Sequence, residues 1–185
     1  AVLLNFPNNP AGYSPTRDDA EFVRKTLAEV AESAPTLAIL DDAYFGLFYD
    51  ADTYSESLFA PLSQLHANLV AVKVDGATKE DFVWGFRVGF VTVAGLGLTE
   101  ESTTAIEQKY MGAIRSAVSN SSNLSQNMLL KAMDHPRYRE DKQNAFQILS
   151  ERYAVLKEIL EDKENHGLAP ELQPLPCNSG YFMSF

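Results

Sequence analysis

Asn9, Asp41 and Lys79 are an amide, a carboxylate and an amine, and each stands just past a short aliphatic run. Arg87 follows the lysine at plus eight, between Gly85 and Gly89 at plus six and plus ten. A primary amine can bond covalently to a carbonyl compound, and a nearby amide and carboxylate can orient what it holds. A guanidinium can grip an anion with two parallel hydrogen bonds. Singly, each residue also has a plain reading. Asn9-Pro10 is an ordinary turn, Asp41 or Asp42 caps a loop, Tyr44 is a packing aromatic, and Arg87 is a solvated charge.

The elements that must position these groups decide between the readings. Val2 to Phe6 reads as a buried strand, and Pro7 to Gly12 supplies several turn formers at once. Ser14 with Pro15, or Thr16 with Asp19, can cap a helix in which Phe22, Val23, Thr26, Leu27 and Val30 share a face. Pro35 closes it. Leu37 to Leu40 is a second strand, so strand, helix, strand predicts a parallel crossover, right-handed by the general rule. From Phe45 to Asn68 the pattern predicts an aromatic loop packed over the core, with a short helix near Ala60 to Leu65. Leu69 to Val74 is a third strand and Phe86 to Val93 a fourth. In an open α/β sheet, ligands bind outside the carboxyl ends of the strands, so Asn9, Asp41 and Lys79 converge on one edge.

Further on, Thr99 opens a helix over Glu100 to Ile114, and Ser116 to Gln126 reads as a loop before a helix that contains Met128 to Met133. Phe146, Leu149, Tyr153, Leu156 and Leu160 then mark one long amphipathic helix. A stretch rich in Pro and Gly, Gly167 to Gly180, follows and predicts a boundary, with a new strand-like segment at Tyr181 to Phe185.

The chain has 185 residues, is 45% apolar and carries a net charge of −10. That composition fits a globular domain, and the acidic balance argues against nucleic acid or an anionic membrane as partner. One cysteine excludes an internal disulfide. His66, His135 and His166 lack ligand spacing, so no metal is expected. No leader and no apolar run long enough for a membrane span is seen, which predicts a cytoplasmic protein.

The stretches NFPNNPAGY, DDAYFGLF and TKEDFVWGFRVGF resemble three successive signatures of the class I and II aminotransferases, in the family's order. The resemblance implies a type I pyridoxal-phosphate-dependent transferase fold. That is an α/β large domain with a mostly parallel mixed sheet and flanking helices, a long linker helix, and the start of a small α+β domain. It implies pyridoxal 5'-phosphate as cofactor, carried covalently by Lys79. Asp41 would hold the pyridine nitrogen, Asn9 and Tyr44 the phenolate oxygen, and Arg87 the phosphate. Many relatives have a phosphate-binding serine where this chain has Gly76, and Thr78 stands beside the lysine to compensate. Ile114 to Asn120 resembles a segment of the aspartate and aromatic branch, which implies that Arg115 meets the substrate's distal carboxylate in a neighbouring subunit. Val118 replaces that segment's tyrosine.

Implied partners are an amino acid, a 2-oxo acid and a second copy of the chain. The expected partition is a large domain over residues 1–136, a connecting helix over 137–162 and the start of a small domain over 163–185. The family's glycine-rich phosphate turn and stacking aromatic lie upstream of this stretch, and its α-carboxylate arginine lies downstream. A fragment, inactive alone, is therefore expected. Two other readings share these residues: the ligand-sensing domain of a transcription regulator, and a lyase that eliminates a β-substituent.

Overall fold

The fold is seen in a computed structural model that describes residues 1–161 and 172–185. A four-stranded mixed sheet runs in the order β1 (Val2–Asn5), β2 (Thr36–Asp41), β3 (Leu69–Asp75), β4 (Phe90–Ala94). The first three strands are parallel and β4 is antiparallel to β3, which gives the expected mostly parallel α/β architecture.

Helix α1 (Arg17–Ser33) connects β1 to β2. Its start is written in the sequence. The Thr16 hydroxyl accepts from the Asp19 backbone N–H, and the Asp19 carboxylate accepts from the Thr16 N–H, so two of the helix's unpaired donors are satisfied. The buried face of α1, Ala20, Leu27 and Ala31, meets Ala38 and Leu40 of β2 and Leu69 and Ala71 of β3. Leu58 and Leu62 complete this core from the start of the short helix α2 (Phe59–Ser63). Alanines recur where helix and sheet approach closely.

After β3 comes a single helical turn, α3 (Ala77–Glu80), which carries Lys79. A 3-10 turn over Trp84–Phe86 follows, and Arg87 takes a left-handed conformation with φ of 54°. These two features delay β4 to Phe90, so the fourth strand starts later than the β-rich pattern suggested. Ala77, Val88 and Leu129 form a second small core beneath the turn.

The remaining helices are α4 (Glu100–Ala117), α5 (Asn123–Met133) and α6 (Tyr138–Glu161). Ser122 caps α5, its hydroxyl accepting from the Ser125 N–H. The Ser and Asn rich loop is thus shorter than expected, because its serines serve as helix caps. Among the described residues no helix is long and apolar enough to cross a membrane.

Residues 172–185 lie against the first part of the chain. The backbone N–H groups of Asn178 and Ser179 both donate to the Gly12 carbonyl, at 2.9 and 3.0 Å. The Asn178 side chain accepts from the Ser14 N–H (2.8 Å) and donates to the Ser14 carbonyl (2.9 Å). Gly12 has φ of +72°, and a side chain there would collide with the Phe182 carbonyl. Tyr181 to Phe185 forms no strand. Its neighbourhood is held instead by a single bridge, Phe48 to Ser179, and by the Leu175 N–H donating to the Ser184 carbonyl, so the segment docks as a loop. The end of the expected connecting helix at residue 162, and Gly167 with the rest of the expected boundary up to residue 171, lie outside the described residues.

Candidate active site

The parallel register sets Asn5 opposite Asp41 at the carboxyl ends of β1 and β2. The Asn5 side chain donates to the Asp41 carbonyl (3.3 Å) and accepts from the Asn9 N–H (2.9 Å), so one amide ties the Asn9 loop to the neighbouring strand end. The loop closes through the Asn8 N–H to the Tyr13 carbonyl, at 2.8 Å. Asn9 is thereby aimed across the sheet edge, and its side-chain amide donates to the Tyr44 hydroxyl at 3.4 Å.

Asp41 ends β2, and one of its carboxylate oxygens accepts from the Ala43 N–H at 3.2 Å. This turn brings Tyr44 back beneath Asn9. Tyr44 is buried, and its pKa is raised first by loss of solvent and further by the Asp41 charge; the Asn9 hydrogen bond pulls the other way. Lys79 completes the group from the turn after β3. Its Nζ lies 5.6 Å from the centre of the Tyr44 ring and 5.7 Å from that of Tyr181. Such distances are those of an ammonium held against aromatic faces.

Asn9, Tyr44 and Lys79 are thus brought together, with Asp41 adjacent. Arg87 is exposed and forms no hydrogen bond or ion pair with any described residue, although it shares the 76–89 segment with the lysine. Thr78 is half-buried within the same turn as Lys79. Arg115 lies elsewhere, exposed near the end of α4, where its guanidinium donates to the Ser119 hydroxyl.

Three participants escaped the sequence reading. Tyr181 and Phe182 pack edge-on against Tyr44 at 5.9 and 5.6 Å. The Tyr181 hydroxyl is buried without a hydrogen-bond partner among the described residues, and burial pushes its pKa up to about 12. Asn5 is the third. It sits in a quoted motif, but only the parallel register reveals its bridge to Asp41. Below the site Asp42 is buried, accepts from the Ser57 hydroxyl (2.6 Å), and has its pKa raised by loss of solvent.

A mixed, mostly parallel α/β sheet with flanking helices is the architecture of the type I transferase fold, and a lysine, a carboxylate and an amide gather outside its strand ends. The chain belongs to the aminotransferase class I and II family, whose model matches residues 1–184. No curated protein matches the chain. Solved structures do. An aminotransferase from Anaerococcus prevotii is 24% identical, with a TM-score of 0.78 over 98% of this chain and 43% of its own. Aspartate aminotransferase from Thermotoga maritima is 21% identical, with a TM-score of 0.68 over 97% of this chain and 40% of its own. An aromatic aminotransferase from Pyrococcus horikoshii is 19% identical, with a TM-score of 0.69 over 98% of this chain and 42% of its own. The chain therefore spans about two fifths of the length of these structures.

Proposed function

We propose that this chain supplies the middle and later part of a pyridoxal-phosphate-dependent aminotransferase. The reaction would move an amino group between an amino acid and a 2-oxo acid, in the aspartate and aromatic branch of the family. One observation carries the reading: the Lys79 amine rests on the Tyr44 ring while Asn9 holds the Tyr44 hydroxyl, at the carboxyl ends of adjacent strands.

The donor set fits the cofactor. An amide and a phenol suit its ring oxygen, a carboxylate its ring nitrogen, an amine its carbonyl carbon and an unpaired guanidinium its phosphate. The Tyr181 hydroxyl, without a hydrogen-bond partner among the described residues, leaves one more donor for a bound group. When bound, pyridoxal phosphate supplies an electron sink for the substrate's α-carbon. In this reading Lys79 attaches the cofactor and moves the proton at that carbon. Asp41 keeps the ring nitrogen protonated. Asn9 and Tyr44 orient the ring, and Arg87 with Thr78 fixes the phosphate. Arg115 meets a distal substrate carboxylate in a neighbouring subunit.

Homodimerisation belongs to the same proposal. Met111 and Ile114 of α4, Val118 just past its end, and Leu124, Met128 and Leu130 of α5 are exposed, and apolar surface of this kind fits a covering copy. The partition into a large domain over 1–136, a connecting helix over 137–162 and a small domain that begins at 163 is also part of it, as is a cytoplasmic location.

Incubation with pyridoxal phosphate, borohydride reduction and peptide mapping test the attachment. A pyridoxyl group on Lys79 is expected, and none on the peptide from Lys79→Ala. Label elsewhere, or undiminished label on the variant, contradicts the assignment. Full-length protein given an amino acid and a 2-oxo acid should form the new amino acid; release of ammonia and a keto acid instead would indicate elimination.

A further inference from the structure

The turn that carries Lys79 is a single helical turn with few hydrogen bonds of its own. It has four residues and no side-chain cap at its start; the Asp81 N–H closes it onto the Ala77 carbonyl at 3.0 Å, and the next hydrogen bond, from the Phe82 N–H to the Lys79 carbonyl, lengthens to 3.3 Å. Its exit residue Phe82 has φ of 57°, a region that bulky side chains avoid. A single turn of helix has little stability of its own, so something outside it must hold its shape.

Helix α6 does so through two residues one turn apart. Lys142 Nζ donates to Glu80 Oε1 at 2.9 Å and to Asp81 Oδ1 at 3.0 Å. The Tyr138 hydroxyl donates to the same Asp81 oxygen, and Lys142 lies 5.9 Å from the centre of the Tyr138 ring. The Asp81 side chain is only 6% exposed. A carboxylate so buried is tolerable only while paired, and loss of its partner costs far more than loss of a surface ion pair. Glu80 and Asp81 also place two negative charges directly after Lys79 in the chain, and Lys142 offsets part of that field.

We propose that Lys142 is a positioning residue for Lys79. By pairing with Glu80 and Asp81 it fastens the lysine-bearing turn to α6 and fixes where the amine stands over Tyr44 and Tyr181. The proposal rests on the reading of Lys79 as the cofactor carrier, and it adds a residue 63 positions away, on α6, that acts through Glu80 and Asp81.

Hydrogen exchange by mass spectrometry on the full chain tests it without any cofactor. In Lys142→Met, amides between residues 77 and 86 should exchange roughly tenfold faster or more, while those of α1 and β1 to β3 keep their protection. Lys142→Arg should restore the wild-type pattern, since a guanidinium can serve both carboxylates. Unchanged protection of residues 77–86 in Lys142→Met overturns the proposal, and so does failure of the arginine variant to restore it. If Lys142→Met does not fold, the double variant E80Q/D81N takes its place. It removes the charges that Lys142 binds, so it must loosen the same peptide, and no loosening overturns the proposal. Borohydride labelling with pyridoxal phosphate runs in parallel, and the Lys79 label should fall in Lys142→Met and return in Lys142→Arg. Faster exchange of residues 77–86 in Lys142→Met, together with a wild-type chain that takes no label, refutes the cofactor reading and leaves the clamp standing.

Discussion

Placing at position 76 the serine that the family resemblance leads one to expect should weaken this protein rather than improve the proposed phosphate site. Gly76 opens the lysine turn, and a Cβ there would lie 2.5 Å from the Val88 carbonyl oxygen and 2.8 Å from the Gly89 Cα. Both obstacles are backbone atoms, so no rotamer change relieves them. Room can come only from parting the 76 and 88 segments, yet Val88 is buried against Ala77 and Leu129. Overpacking of this kind costs about 1–3 kcal/mol. For a chain of this size each kcal/mol lowers the melting temperature by about 2–4 °C, so Gly76→Ser should melt roughly 2–12 °C lower. Thermal unfolding followed by circular dichroism measures the loss. Gly76→Ala adds the same Cβ without the hydroxyl and should fall by a similar amount. On the proposed reading of Lys79 and Arg87, which the parted segments carry, affinity for pyridoxal phosphate should drop as well, read from the visible absorption of the unreduced adduct in a titration. A serine variant that melts with wild type and binds pyridoxal phosphate more tightly would refute the steric account.

Other perturbations address the packing around the site. Asn178→Ala strips both hydrogen bonds from the Ser14 backbone, and two buried polar groups left unpaired should cost about 2–5 kcal/mol in a urea melt. An unchanged midpoint would mean that the docked segment contributes nothing to stability. Asp42 is held with a pKa above its ordinary 3.8, so the folded chain binds that proton more tightly than the unfolded chain does. Its contribution is therefore full below 3.8 and is lost as pH rises through the folded-state value. Asp42→Asn keeps an oxygen to accept from Ser57, so the variant should be the more stable at neutral pH and match wild type below 3.8. Urea melts at both ends of that range decide it, and equal stability at neutral pH counts against the burial argument.

Much of the fold was legible because its signals are local. Thr16 and Asp19 are three residues apart, and they cap α1 as their types require. The aliphatic runs before Asn9, Asp41 and Lys79 needed only the rule that parallel strands present their carboxyl ends together. What stayed hidden depends on distant partners. Gly12 reads as part of a turn motif, but its lack of a side chain serves Phe182, 170 residues on. Glu80 and Asp81 stand in the sequence simply as acidic residues of the lysine's turn, and only the fold places Lys142 against both. Arg87 gave no local sign of its left-handed backbone, so the start of β4 was misplaced.

The docking of Asn178 and Ser179 on Gly12 and Ser14 also sets an order of events during synthesis. The core residues of α1 and β1 to β3 all lie between positions 2 and 75, ahead of Lys79 in the chain. Tyr181 follows Lys79 off the ribosome by roughly 5–20 s at typical elongation rates. Through that interval Lys79 and Tyr44 stand without the ring that later covers them. On the proposed reading of Lys79 as the cofactor carrier, an aldehyde that arrives in that interval meets an amine on which Tyr181 has not yet packed.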